Sequence, residues 1–200
     1  MENHIQVYYA KIPAQYGRDT LYPPARQREI EACASEKVRK EKYYAWKLLE
    51  RAVQDFLGAS ITDLRFTKSE NGKWKSDRVE FSLSHSASAV AVALSNAPVG
   101  VDIQRVAPLK RTDFLRKVLT EEEFAFGCEL QSEEEKTAYW IRKWTETESA
   151  FKLLDAPAFF TAPSPTVSLN TQTAVIDHER YAITVASAFP SPVTFIFIQQ

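Results

Sequence analysis

The sequence predicts an α+β fold in which two similar subdomains each set a small, mostly antiparallel sheet against helix. Three observations carry that expectation. Hydrophobic patterns run strand, helix, strands, then helices, strands. The strands are short and divided by turn residues, with no regular alternation of strand and helix. The chain has 200 residues, the size of one ordinary domain or of two small subdomains sharing a core. No internal sequence repeat is strong enough to mark the halves.

IQVYYA (5–10) reads as a strand, and the stretch from Pro13 to Pro24, which holds Gly17 and Pro23, reads as a loop into helix. Residues 25–57 are helical in composition: Val38, Tyr44, Trp46, Leu49, Val53, Phe56 and Leu57 fall at helical spacing before a stop at Gly58, as one long helix or two joined by a break. A turn at 69–72 separates LRF (64–66) from three strands, 79–84, 89–95 and 99–104, two of which form a hairpin. Helices are expected over 111–118, over 121–130 after Thr120 as cap, and over 132–154. Three closing strands fall at 165–170, 181–187 and 193–198, with residues 177–179 beside the turn between the first two.

Composition narrows the classes of function. At 44% hydrophobic residues with only 5 Gly and 10 Pro, the chain can bury a core, which excludes disordered and collagen-like readings. Charge is balanced at 25 basic against 26 acidic residues, so no overall field recruits nucleic acid or a membrane surface. No apolar run approaches a membrane span, and the N-terminus has no signal-like apolar stretch, from which a cytoplasmic protein is expected. Cys33 and Cys128 are far apart within helical patterns, which suits reduced thiols better than a disulfide framework or a zinc site.

Four groups of residues offer chemistry. In VGVDIQ, Asp102 and Gln104 share one strand face about 7 Å apart, and a carboxylate beside an amide oxygen can hold a hard cation; a polar face with Asp102 bonded to an arginine accounts for the same pattern. Gly100, two residues earlier, is where a backbone can approach a ligand closely. In WTETESAFK, Trp140, Trp144, Glu148 and Lys152 recur every four residues on one helix face. A surface Glu148–Lys152 pair explains that spacing, whereas the indoles imply a buried face on which the pair needs a metal or phosphate. In FSLSHS, Ser84 and His85 face opposite ways on a strand and cannot form a nucleophile–base pair, yet at a strand end the run can reach an anion. The basic run Lys37, Arg39, Lys40, Lys42 and Lys47 is a solvated helix face or a binder of phosphate or an acidic partner. His4 and His178 sit in polar or turn contexts and read as solvated.

FSLSHS, then VGVDIQ, then WTETESAFK, in this order, resembles the surfactin-type 4′-phosphopantetheinyl transferases, which carry a SerHis motif, a GlyValAsp or GlyIleAsp motif and a tryptophan helix of the form WxxKExxxK. The resemblance covers roughly residues 30–154 and extends to EKVRKEKYYAWKLLERAV, to KVLTEEEF and to the basic NGKWK turn. It implies transfer of the phosphopantetheine arm of coenzyme A to a serine of an acyl or peptidyl carrier protein, with release of 3′,5′-ADP and Mg²⁺ on the diphosphate. By match, Asp102 and Glu148 would ligate Mg²⁺, with Gln104 where many members keep a third acid. Glu148 would also orient or deprotonate the attacking serine, Lys152 would neutralise the diphosphate, and Lys73, Ser84 and His85 would contact coenzyme A phosphates. The implied fold has two halves related by a pseudo-twofold, 1–98 and 99–200, in one compact unit with the site between them, and a monomer is the default. The client could serve fatty-acid, polyketide or peptide synthesis.

The chain departs from the family pattern in two places. Thr147 stands where the family has lysine, and Gln104 removes a charge near the metal. These departures keep a second expectation in view: a catalytically impaired homologue that binds coenzyme A or a carrier protein without efficient transfer. An unrelated metal-dependent phosphohydrolase built on Asp102, His85 and Glu148 is a third.

Overall fold

Alternation in the first strand decides the layering. The computed structural model describes residues 3–17, 19–109, 112–156 and 167–199. In β1 (Ile5–Lys11), Ile5, Val7 and Tyr9 enter one hydrophobic cluster while Tyr8 and Ala10 enter another, as a period of two requires. The strand is therefore the middle of a sandwich. It sits in a four-stranded sheet of order β4-β5-β1-β9, formed with β4 (Glu80–Ser86), β5 (Ala89–Ser95) and β9 (Val193–Ile198). Of the three strands expected over 79–104, β4 and β5 are the two that form a hairpin; β5 is antiparallel to β1, and β9 joins β1 in parallel. The second sheet has the order β6-β8-β7, all antiparallel, from β6 (Val99–Arg105), β7 (Ser168–Ile176) and β8 (Glu179–Ser187). Asp177 and His178 both adopt positive φ between β7 and β8, the backbone twist that a two-residue hairpin favours. Arg111 and the 165–166 start of the strand expected at 165–170 lie outside the described residues.

Of the two alternatives for 25–57, one long helix or two joined by a break, the chain forms two helices. α1 (Pro24–Glu31) ends before Ser35, whose hydroxyl accepts from the Val38 amide and opens α2 (Glu36–Leu57). Gly58, at φ 63°, closes α2 in the left-handed region. The apolar face of α2, including Ala45, Trp46, Leu48, Leu49, Ala52 and Val53, packs on Tyr8, Val90, Val92 and Leu94 of the first sheet. The opposite face of that sheet, through Ile5, Val7, Ala89, Ala91 and Ala93, packs on Val99, Val101, Ile103, Ile183 and Val185 of the second. A short hairpin, β2 (Phe66–Lys68) with β3 (Trp74–Ser76), folds around the predicted turn. The helix expected at 111–118 is only a 3-10 segment, Asp113–Lys117.

Thr120 and Glu123 form the capping box of α3 (Glu121–Glu129), and Ser132 caps α4 (Glu133–Leu154). α4 lies on the outer face of the second sheet, completing the order helix, sheet, sheet, helix. Gly100 is what admits it: a Cβ there would overlap the Ser149 carbonyl oxygen and the Leu153 amide nitrogen. The close approach expected at Gly100 is therefore to a helix backbone. Among the described residues no helix is long and apolar enough to cross a membrane.

Because neither backbone atom can move without shifting α4, Gly100→Ala should lower unfolding free energy by about 3 kcal/mol, measured by urea denaturation.

Candidate functional site

β4 and β6 are edge strands of different sheets, and they run side by side without a backbone ladder between them. The N–H groups of Val101, Ile103 and Arg105 instead donate to the hydroxyls of Ser82, Ser84 and Ser86 at 3.0, 3.2 and 3.2 Å. Alternation puts the three serines on one face of β4 and leaves Phe81, Leu83 and His85 on the other. The Ser84 hydroxyl donates to Asp102 Oδ1 at 2.7 Å, and that of Ser86 donates to Gln104 Oε1 at 3.1 Å.

Lys152 closes the arrangement from α4. Its ammonium donates to Asp102 Oδ1 at 2.6 Å and to Ser84 Oγ at 2.9 Å. Gln104 Nε2 donates to Asp102 Oδ2 at 3.0 Å, so both carboxylate oxygens are engaged and Asp102 is 1% exposed. Glu148, one turn before Lys152, is half-buried. Burial and the neighbouring Asp102 charge push its carboxyl above the usual range, against the opposing pull of Lys152.

A cleft of about 380 Å³ opens above this cluster, lined by Arg26 from α1, Lys42 from α2, Lys73 and Trp74 from the β2–β3 hairpin, His85 from β4, and Glu148 and Lys152 from α4. Of the residues expected to act, Lys73, His85, Glu148 and Lys152 reach its wall, whereas Ser84, Asp102 and Gln104 lie behind it. Lys73 donates to the carbonyls of Val99 at 3.1 Å and Lys152 at 2.7 Å, and burial lowers its pKa despite Glu80 and Asp155 nearby. One ammonium proton remains for an anion. The hairpin that carries it is fastened to the end of α4, where Ser69 donates to Asp155 Oδ1 at 2.9 Å and Lys75 pairs with Oδ2 at 2.9 Å.

His85 Nδ1 lies 3.3 Å from Glu41 Oε2. Burial, with the charges of Lys152 and Lys42, holds its pKa at about 4, so the imidazole is neutral near pH 7 and meets an anion as a dipole. Thr147 is 1% exposed, and its hydroxyl donates to the Lys143 carbonyl at 3.0 Å. The position that bears lysine in the resembling family therefore points into the interior here.

Sequence reasoning missed the wall formed by α1. Arg26 is 5% exposed and stacks over Trp46 with its guanidinium 4.8 Å from the ring centroid. Glu29 gathers its surroundings, accepting from Arg26 at 3.1 Å, Lys68 at 3.0 Å and Trp74 at 2.8 Å, with Lys42 at 3.5 Å. Burial pushes this carboxyl up, but the Lys68 hydrogen bond, the Arg26 charge and the Trp74 donor outweigh it and hold the pKa at about 2. The available signal was the PARQREIE stretch, whose Arg26 and Glu29 lie one helical turn apart.

Among the described residues no three His, Cys, Asp or Glu side chains converge as a metal-ligating group. The donor chemistry nevertheless fits a hard cation held loosely. The Asp102 charge adds to burial in raising the Glu148 carboxyl, an electrostatic conflict that a cation would relieve, and Mg²⁺ needs only one or two carboxylates beside water and phosphate oxygens. Gln104 adds an amide oxygen and no charge.

Two outcomes follow from these environments. His85 is depressed from 6.5 to about 4, so the unfolded chain binds its proton first and stability falls as pH drops from 6.5 toward 4. Discounted for partial exposure, this contribution is on the order of 1–2 kcal/mol, and His85→Gln should remove it from the pH dependence of urea midpoints. Thr147→Lys should place an ammonium in the interior, lowering stability by about 2–4 kcal/mol on thermal denaturation.

Set against known proteins, the chain matches no family model and no curated protein.

Proposed function

We propose that this chain is a 4′-phosphopantetheinyl transferase, moving the phosphopantetheine arm of coenzyme A onto a serine of an acyl or peptidyl carrier protein and releasing 3′,5′-ADP. The observation that carries the reading is the convergence of FSLSHS, VGVDIQ and WTETESAFK, remote in sequence, through the Ser84–Asp102–Lys152 contacts under a cleft rich in cations. In this reading Asp102 and Glu148, with Gln104 beside them, hold Mg²⁺. The bound ion supplies charge neutralisation at the diphosphate.

The chain's own residues do the rest. Glu148 stands at the cleft wall, where a carboxylate can take the proton of the carrier serine. The serine oxygen forms a bond to the β-phosphorus of coenzyme A, the bond from that phosphorus to the bridging oxygen breaks, and the electron pair leaves with 3′,5′-ADP. Lys152 and Lys73 are placed to offset the charge that grows on the oxygens. Arg26 and Lys42 give the opposite wall a basic surface for the remaining phosphate.

The site between two subdomains related by a pseudo-twofold, divided at 98 and 99, belongs to the same proposal. It is supported by two sheets, each backed by a 22-residue helix, and by a cleft lined from both helices. β9 crosses this division to complete the first sheet. One chain presents both walls, so a monomer suffices, and a cytoplasmic setting would supply coenzyme A and carrier.

A second reading, binding without efficient transfer, is favoured by one contact: the Lys152 ammonium lies 2.6 Å from the Asp102 oxygen that a cation would need. Intact-mass measurement of apo carrier proteins after incubation with coenzyme A and Mg²⁺ separates the two. Transfer adds about 340 Da, the mass of the arm, and EDTA abolishes it; binding with no gain on any carrier supports the second reading. Glu148→Gln should reduce the rate about 100-fold or more with the melting temperature retained.

A further inference from the structure

The resemblance would have Ser84 contact coenzyme A, but its hydroxyl has no capacity left. A serine oxygen offers one proton and two lone pairs. In Ser84 the proton goes to Asp102 Oδ1 at 2.7 Å, one lone pair takes the Ile103 N–H at 3.2 Å, and the other takes the Lys152 ammonium at 2.9 Å. The residue is 4% exposed and lies behind the cleft wall. We propose that Ser84 is a positioning residue that sets Asp102 and Lys152 relative to each other through its saturated hydroxyl, and that it does not bind coenzyme A. This rests on the transferase reading for its consequence, though the geometry stands apart from it.

The substitution follows from the three bonds. Ser84→Ala removes the shared oxygen, leaving the Ile103 amide without a partner, Lys152 bonded to Asp102, and Asp102 bonded to Lys152 and Gln104. At saturating coenzyme A, kcat should fall about 10- to 100-fold, while KM and the calorimetric affinity for coenzyme A stay within about threefold. Mn²⁺ affinity of the coenzyme A complex, read by electron paramagnetic resonance, should weaken by a similar factor. Ser84→Thr, which retains the hydroxyl, should restore kcat to within about threefold of wild type. A tenfold loss of coenzyme A affinity at unchanged kcat would overturn the proposal in favour of direct contact, and so would a threonine variant as slow as alanine.

One readout needs no reaction. Amide hydrogen exchange at Ile103 should accelerate about tenfold or more in Ser84→Ala, with Val101 and Arg105 unchanged because Ser82 and Ser86 remain. Unchanged exchange at Ile103 would falsify the proposal. Wild-type protein that binds coenzyme A yet transfers nothing to any carrier overturns the transferase reading alone; the exchange and affinity comparisons then still decide the role of Ser84.

Discussion

β6 has one edge paired with β8 and another that, among the described residues, has no backbone ladder, and the outward amides of Val101 and Ile103 must find acceptors where water is excluded, with that of Arg105 at the exposed end of the same row. Leaving a buried amide unpaired costs about 1–3 kcal/mol each. The serines of β4 meet that demand at every second residue, the only period at which one face of a strand can address the outward amides of another. Because the side chains of Asp102 and Gln104 extend from the same strand, the hydroxyls that receive the amides can also orient the carboxylate and the amide group. Satisfaction of the backbone and preorganisation of the candidate site are thus one set of hydrogen bonds.

From that junction the remaining geometry follows. Ser82, Ser84 and Ser86 hold the two sheets in lateral register, and the small side chains of Ala89, Ala91 and Ala93 let the sheets close on each other. α4 then settles on the second sheet over Gly100, bringing Lys152 to Asp102 and Glu148 to the cleft. On the opposite wall Glu29 does for Arg26, Lys42 and Lys68 what Asp102 does for Lys152: one buried or half-buried carboxylate keeps neighbouring cations in place against their mutual repulsion. A cleft so arranged holds its cations at fixed positions, which is the preorganisation that binding an anion would require.

Local signals were legible. The turn beside 177–179, the cap at Thr120 and the stop at Gly58 each depend on residues within one turn of one another, so sequence neighbours carry the information. The choice of Asp102, Glu148 and Lys152 as a group was also legible, through the order of three motifs. The 3-10 segment at 113–117 and the pairing of β9 with β1 were not, because each is decided by what packs against the segment, and the break at 32–35 was one of two alternatives that composition left open. Arg26 and Glu29 gave only an ordinary helical ion-pair spacing, and nothing local says that Lys68 and Trp74 arrive at the same carboxylate.

The sequence by itself determined which faces are apolar, where chains of one period give way to another, and which residue types are present for binding anions and a hard cation. Only the tertiary structure decided which hydroxyls and carboxylates face the cleft. The reason is that alternation along β4 separates Ser84 from His85 but does not say which face is covered; β6 covers the serine face, turning Ser84 inward to Asp102 and leaving His85 on the wall. Thr147 shows the same limit from the other side, since its place on the helix was known and its burial was decided by packing that sequence neighbours do not record.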